Sequence, residues 1–229
     1  MARTLVTVAL ALYNNVANLW PPFNGKLYVP ANVAGAALLL YVATTVLGLS
    51  AGDLGIARPS VTALLTGAAA GAAVVSPLFL LARSRRWARV VADRRVRHLR
   101  GPALAYQALI RVPAGTALLE ELAFRGVLFA AWREAGGVAA AAVSCGVFGL
   151  WHVAPSRTMV RVNAPSAPAA TAAGATAATV AVTALAGAAL LWLRIDTGSL
   201  LAPFAAHATV NSLATVAGAM AGARLEQPQ

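Results

Sequence analysis

Apolar runs of about 18 residues or more recur along almost the whole chain, and that recurrence constrains the fold more than any other feature. A backbone inside a bilayer has no water to bond, so each run has to satisfy its own amides and carbonyls, which a helix does. The runs lie at about 4–20, 29–49, 61–82, 103–131, 138–154, 169–193 and 199–221. Mean hydropathy is +0.72 and only 11% of residues are charged, against about 25% in soluble domains. The expected fold is all-α: a polytopic transmembrane helical bundle of about seven or eight spans. Asn14, Asn15 and Asn18 interrupt the first run, which is read as a retained span because no convincing cleavage pattern follows it. The fourth run is too long for one straight span, and Pro113 is expected to kink it or to split off a short interfacial piece.

The net charge of +11 is concentrated. Residues 83–100 hold eight arginines and one aspartate, +7 of the total. A short basic loop between spans is the positive-inside signal, and it places this loop in the cytoplasm. Nucleic acid is not expected as a partner; anionic membrane lipids are. With the loop inside, the turn at Arg133–Glu134 faces out, loop 155–168 with Arg157 and Arg161 faces in, the turn at Arg194–Asp196 faces out, and Arg224 faces in. His152 then falls near the inner face. The expected division is 1–102, membrane helices and the basic cytoplasmic loop; 103–221, a catalytic helical core; and 222–229, a short cytoplasmic tail. The single cysteine, Cys145, excludes an intrachain disulfide and reads as a small packing residue.

The chain has only seven acidic residues, and two of them, Glu120 and Glu121, stand side by side inside an apolar run. An ionisable side chain at the bilayer centre costs about 2.5–3.5 kcal/mol on insertion scales, so its presence there points to a function. Glu121 and Arg125 are four apart and within ion-pair reach on one helical face. Glu120 is turned by about 100° from Glu121, so the two carboxylates are expected to serve different partners, one held by the arginine and the other free to act. Carboxylates this close in a low-dielectric site resist joint ionisation, which favours a glutamate poised to accept and return a proton. Phe148 and His152 repeat the four-residue spacing within Cys-Gly-Val-Phe-Gly-Leu-Trp-His-Val-Ala-Pro, a helix expected to end near Pro155. His207 and Asn211 repeat it again on the last span, where an imidazole and a carboxamide one turn apart can donate to a developing oxyanion. Singly, each has a structural reading as an ion-pair lock, packing or interhelical glue. His98, in the basic loop, reads as a solvated bystander. The conjunction of costly polar groups on separate apolar helices favours a site. Two histidines and a glutamate, Glu120, His152 and His207, also make a possible three-ligand zinc set.

In that order, Glu-Glu-x-x-x-Arg (Glu120, Glu121, Arg125), Phe-x-x-x-His (Phe148, His152) and His-x-x-x-Asn (His207, Asn211) resemble the CPBP family. This group comprises CAAX prenyl proteases and bacteriocin-processing or immunity proteins, also called Abi. The resemblance implies an intramembrane endopeptidase whose site opens to the cytoplasmic side. Glu120 and His152 would activate the attacking water, His207 and Asn211 would stabilise the oxyanion, Arg125 would orient the glutamates, and Glu121 and Phe148 would support them. The substrate would be a membrane-associated protein or peptide. An Ala- and Arg-heavy composition suggests a high-GC bacterial genome and the bacterial plasma membrane, where prenylated substrates are not expected.

Family members have been described both as metalloproteases and as metal-independent glutamic proteases. His-Glu-x-x-His and Glu-x-x-His are absent, and Asn211 fits an oxyanion donor better than a ligand, so no cofactor is favoured and zinc is the alternative. Two rivals of other classes are a non-catalytic immunity or scaffold protein and a proton-coupled transporter. The transporter would show related halves, and none is visible.

Overall fold

The computed structural model describes residues 1–227, and every regular element among them is helical. The helices are α1 (Ala2–Ala17), α2 (Tyr28–Thr45), the short α3 (Ala51–Leu54), α4 (Val61–Arg83), α5 (Arg85–Val91), α6 (101–132), α7 (Gly137–Trp151), α8 (Val153–Asn163), α9 (Ala169–Thr197) and α10 (Leu201–Glu226). Four helical segments are long and apolar enough to cross a membrane: α2, α4, the α7–α8 pair and α9. α10 runs on to Glu226, into the stretch expected as a tail.

Small residues set the packing, as they do where apolar side chains gain nothing by leaving lipid for protein. A Cβ at Gly71 of α4 would come within 2.5 Å of the Ala206 carbonyl of α10, and one at Gly67 would collide with the Ala202 carbonyl. Gly149 of α7 admits the Val180 carbonyl of α9 in the same way. α6 runs through the middle, with Leu119, Leu122, Ala123, Phe124, Val127 and Leu128 all buried in the main core.

Of the two expectations for Pro113, the splitting off of a separate piece is corrected. The helix continues through it without a break, wound in π geometry over Gln107–Arg111 and Pro113–Ala117. In that winding the Val112 amide bonds the Gln107 carbonyl, so the next acceptor, Ala108, would look to Pro113, which has no N–H. The hydroxyl of Ser212 on α10 donates to the Ala108 carbonyl instead (2.6 Å). An apolar-run reading has no access to a donor that arrives from another helix.

A helix does end near Pro155, as expected, but the loop expected over 155–168 is corrected, since most of it is helical. α7 stops at Trp151, His152 leaves helical geometry (φ −94°, ψ 6°), and α8 begins at Val153. Pro155 falls in the first turn of α8, where a missing amide is tolerated.

The two ends of the bundle carry different polar contacts. At one end Arg3 approaches Glu134 (3.9 Å), Arg194 donates to the Asp53 carbonyl (3.0 Å) and Leu200 to the Gly55 carbonyl (2.8 Å). At the other, Asn163 of α8 accepts from the Arg94 amide (3.0 Å) and donates to Asp93 (3.1 Å), and Arg100 pairs with Glu226 (3.1 Å). The basic segment, α8 and the end of α10 thus lie together.

Candidate active site

Three helices bring the polar residues to one buried point. Glu120, Glu121 and Arg125 come from α6, where one α-turn, Leu118–Glu121, is flanked by π-wound stretches; such stretches are frequent at functional sites. Phe148, Trp151 and His152 come from the end of α7 and the break after it. His207 comes from the first turns of α10.

Glu121 and Arg125 are 1% and 0% exposed, so their charges need internal partners. Arg125 Nη1 donates to Glu121 Oε1 (3.0 Å), and the guanidinium lies 4.0 Å above the Phe148 ring centroid. That ring face also covers the side of the cation left without hydrogen bonds: Nε and Nη2 have none among the described residues. Phe148 turns its edge toward both imidazoles, with centroids 4.7 Å from His152 and 6.1 Å from His207. Gly187 of α9 closes this side, since a Cβ there would sit 3.0 Å from Phe148 and 3.2 Å from Arg125.

The hydrogen bonds assign the ring protons. His152 Nδ1 lies 2.7 Å from the Phe148 carbonyl, which can only accept, so Nδ1 carries a proton and Nε2 of the neutral ring is a bare acceptor. His207 Nδ1 lies 2.6 Å from Glu121 Oε1 and donates to it. Trp151 Nε1 donates to Glu120 Oε1 (2.9 Å). Glu120 Oε2 is left as a buried acceptor without a partner, 3.8 Å from Nε2 of His152 and 3.8 Å from Nε2 of His207. Those gaps are too long for direct hydrogen bonds, and a polar gap of this kind asks for a water lying off the line between the atoms.

The division of labour between the glutamates differs in one respect from the helical-wheel expectation. Glu121 is the one held by Arg125 and Glu120 the one with a free oxygen, yet both carboxylates face the same imidazole, His207. An imidazole presents nitrogens on two edges, so side chains on diverging bearings can meet opposite sides of one ring. Asn211 stands one turn beyond His207 and is partly buried; its backbone carbonyl accepts from Thr215 (2.8 Å). His98 is exposed in the basic segment, far from this chemistry in the chain and in environment. Cys145 is half-buried against the Phe129, Ala140 and Leu191 cluster.

Two contributors went unnoticed in the sequence. Trp151, 2% exposed, is wedged between Phe124 (edge-on, 5.3 Å) and Tyr13 (stacked, 5.5 Å) while its N–H holds Glu120. Its place directly before His152 was its only signal. Ser144 donates to the Phe124 carbonyl (2.8 Å), fixing α7 against α6, and reads in sequence as one more small residue.

Residues 102–213 match the sequence model of the family described as type II CAAX prenyl endopeptidase Rce1-like. No curated protein and no solved structure matches the chain. The matched segment begins at the start of α6 and ends in α10, so it contains Glu120, Glu121, Arg125, His152 and His207. Over residues 102–213, just under half of its length, the chain is therefore similar to the CAAX prenyl protease family, the CPBP group.

Proposed function

We propose that this protein is an intramembrane endopeptidase of glutamic type that hydrolyses a peptide bond of a membrane-associated protein or peptide. The observation that carries the reading is the orphan oxygen of Glu120, buried and facing the Nε2 atoms of two imidazoles at equal distance. A water beside Glu120 Oε2 and His152 Nε2 would lose a proton to this pair as its oxygen attacks the scissile carbonyl. The carbonyl becomes a tetrahedral oxyanion. His207 Nε2–H and the Asn211 carboxamide would donate to it. Because His207 already donates through Nδ1, it would donate through Nε2 only as an imidazolium. Collapse of the intermediate breaks the C–N bond, and the proton taken from water passes to the departing amine.

The same reading includes a bundle of seven or eight crossings with its basic end in the cytoplasm of a bacterium and the site toward that side. It is supported by the cluster of arginines at one end and by the length of α10, which at 26 residues extends about 39 Å. The family's printed description makes a prenylated CAAX terminus the first substrate class to try.

A zinc-dependent variant of the reaction is favoured by one feature. Both histidines donate their far N–H, to a carbonyl and to a carboxylate, as zinc-bound histidines do. Glu120, His152 and His207 would hold the ion, which when bound would supply Lewis-acid activation of the water. The 3.8 Å separations exceed the roughly 3.3 Å edge of a tetrahedron with bonds of about 2.0 Å, so the side chains would have to close in. Among the described residues no three such groups stand at metal-holding spacing.

Host membranes from a deletion strain complemented with wild type, Glu120→Gln or His152→Ala decide between these readings by terminal-peptide mass spectrometry. New termini present only with wild type, and persisting after chelation, are expected. Identical termini in all three strains at equal levels of folded protein would overturn the protease reading in favour of an immunity or scaffold role. Loss on chelation, restored by zinc, would favour the metal variant.

A further inference from the structure

The α7–α8 break exposes backbone groups that an unbroken helix would pair, and in a membrane such groups need partners. In a continuous helix the Ala154 amide would donate to the Leu150 carbonyl, and residue 155 to the Trp151 carbonyl; Pro155 has no amide to give. α1 supplies partners for both of these pairs from adjacent residues. Asn15 Nδ2 donates to the Leu150 carbonyl (2.8 Å) while its Oδ1 accepts from the Ala154 amide (2.8 Å), so one carboxamide spans the interrupted pair. Asn14, 8% exposed, donates to the Trp151 carbonyl (3.0 Å). Asn18 donates to Asn14 Oδ1 (2.9 Å), which turns the Asn14 amide nitrogen toward that carbonyl. Tyr13 stacks on the Trp151 ring at 22° between planes and donates to Asn32 on α2 (3.2 Å).

The two residues at this break both address Glu120, Trp151 through its indole N–H and His152 through Nε2, as His207 does from α10. We propose that Tyr13, Asn14 and Asn15 are positioning residues, a splint that holds the break open and so sets Trp151 and His152 against Glu120. α1 lies outside the family-matched segment, yet the geometry of the water-activating pair depends on it. The asparagines that look like flaws in a membrane span are polar because they replace hydrogen bonds inside another helix. The catalytic meaning of the splint rests on the protease reading; its structural meaning does not.

The test uses the full-length protein in lipid nanodiscs with 15N-labelled histidine and tryptophan. The three histidine imidazoles are assigned with His98→Gln and His207→Gln, and Trp151 is assigned with Trp151→Phe. Asn14→Leu and Asn15→Leu are expected to shift the His152 tautomer signature and the Trp151 indole signal while His207 and His98 keep theirs. On a quenched fluorescent peptide with a farnesylated CAAX terminus, kcat is expected to fall on the order of ten- to a hundredfold with KM little changed. Thr7→Val is the control. It removes a hydroxyl from α1 that accepts from Trp132 (3.1 Å), remote from the break, and is expected to move neither readout. If the leucine variants do not fold, Asn15→Asp keeps the acceptor and shape but lacks the donor, and is read the same way. Unchanged His152 and Trp151 signals in the Asn variants, or an equal shift in Thr7→Val, would overturn the splint. A wild-type protein that leaves the peptide intact counts against the CAAX substrate alone, because the imidazole signals decide the splint without turnover.

Discussion

Two prolines, Pro113 and Pro155, disturb helices that carry the site, and the chain treats them differently. At Pro113 the helix rewinds into π geometry and continues, one orphaned carbonyl being met by Ser212. Before Pro155 it breaks, and a carboxamide from another helix enters the gap. Rewinding, with Ser212 meeting the one opened carbonyl, keeps Glu120 and Glu121 on a continuous helix. Breaking lets a single residue, His152, leave helical geometry. Irregularity is thus spent once for continuity and once for the aim of a side chain.

The largest effect expected from disturbing this contrast is at the break. Pro155→Ala restores an amide able to pair with the Trp151 carbonyl in competition with Asn14, so the break tends to heal. Thermal stability should hold or rise while cleavage falls by about a hundredfold, measured as kcat against melting temperature. A parallel loss of both would mean that Pro155 only stabilises the fold. Next, Trp151→Phe keeps an aromatic ring between Phe124 and Tyr13 but removes the donor to Glu120 Oε1. That carboxylate oxygen then has no partner, and kcat should drop by about tenfold with KM little changed. Ser212→Ala tests the other proline. It strips the donor from the Ala108 carbonyl and should lower stability by about 0.6–1.7 kcal/mol in a denaturation series, leaving kcat alone. A loss of activity there would show that the two irregularities are coupled.

The smallest expected effect lies at the basic end, far from either proline. Burial works against ionisation of Asp93, but hydrogen bonds from Arg95 and Asn163 outweigh it and hold the carboxyl below its usual range. A lowered folded value means that the contribution is present above the unfolded value of about 3.9 and is lost as pH falls through the folded one. Asp93→Asn should therefore lower stability at neutral pH by no more than about 1 kcal/mol, the difference from wild type closing as pH falls through the acid window. A difference that persists at the lowest pH would point to lost hydrogen-bond geometry rather than lost charge.

The helices were legible because lipid allows so few alternatives: each long apolar run corresponds to a helix of nearly the same bounds. The Glu–Arg, Phe–His and His–Asn spacings were legible because i,i+4 is the helix repeat. What could not be read were contacts that join distant parts of the chain. Asn15 was visible as a polar residue in an apolar run, but its partners are 135 and 139 residues away. Pro113 was visible as a breaker, but not the hydroxyl that removes the need to break. Trp151 was visible as an aromatic, which periodicity assigns to packing, and its N–H finds Glu120 only once α6 and α7 are side by side.

The glycine contacts between α4 and α10 have one more consequence. Where Gly71 meets the Ala206 carbonyl, backbone touches backbone, and no χ angle intervenes. A helix pair in a bilayer thicker or thinner than its apolar length normally answers by tilting or sliding. Here the pair can tilt only as one body, because sliding would drive carbonyl oxygen into Cα. The residue immediately after Ala206 is His207. Its depth relative to α4 is accordingly insensitive to the thickness of the surrounding bilayer, and the imidazole keeps its register in membranes of differing lipid composition.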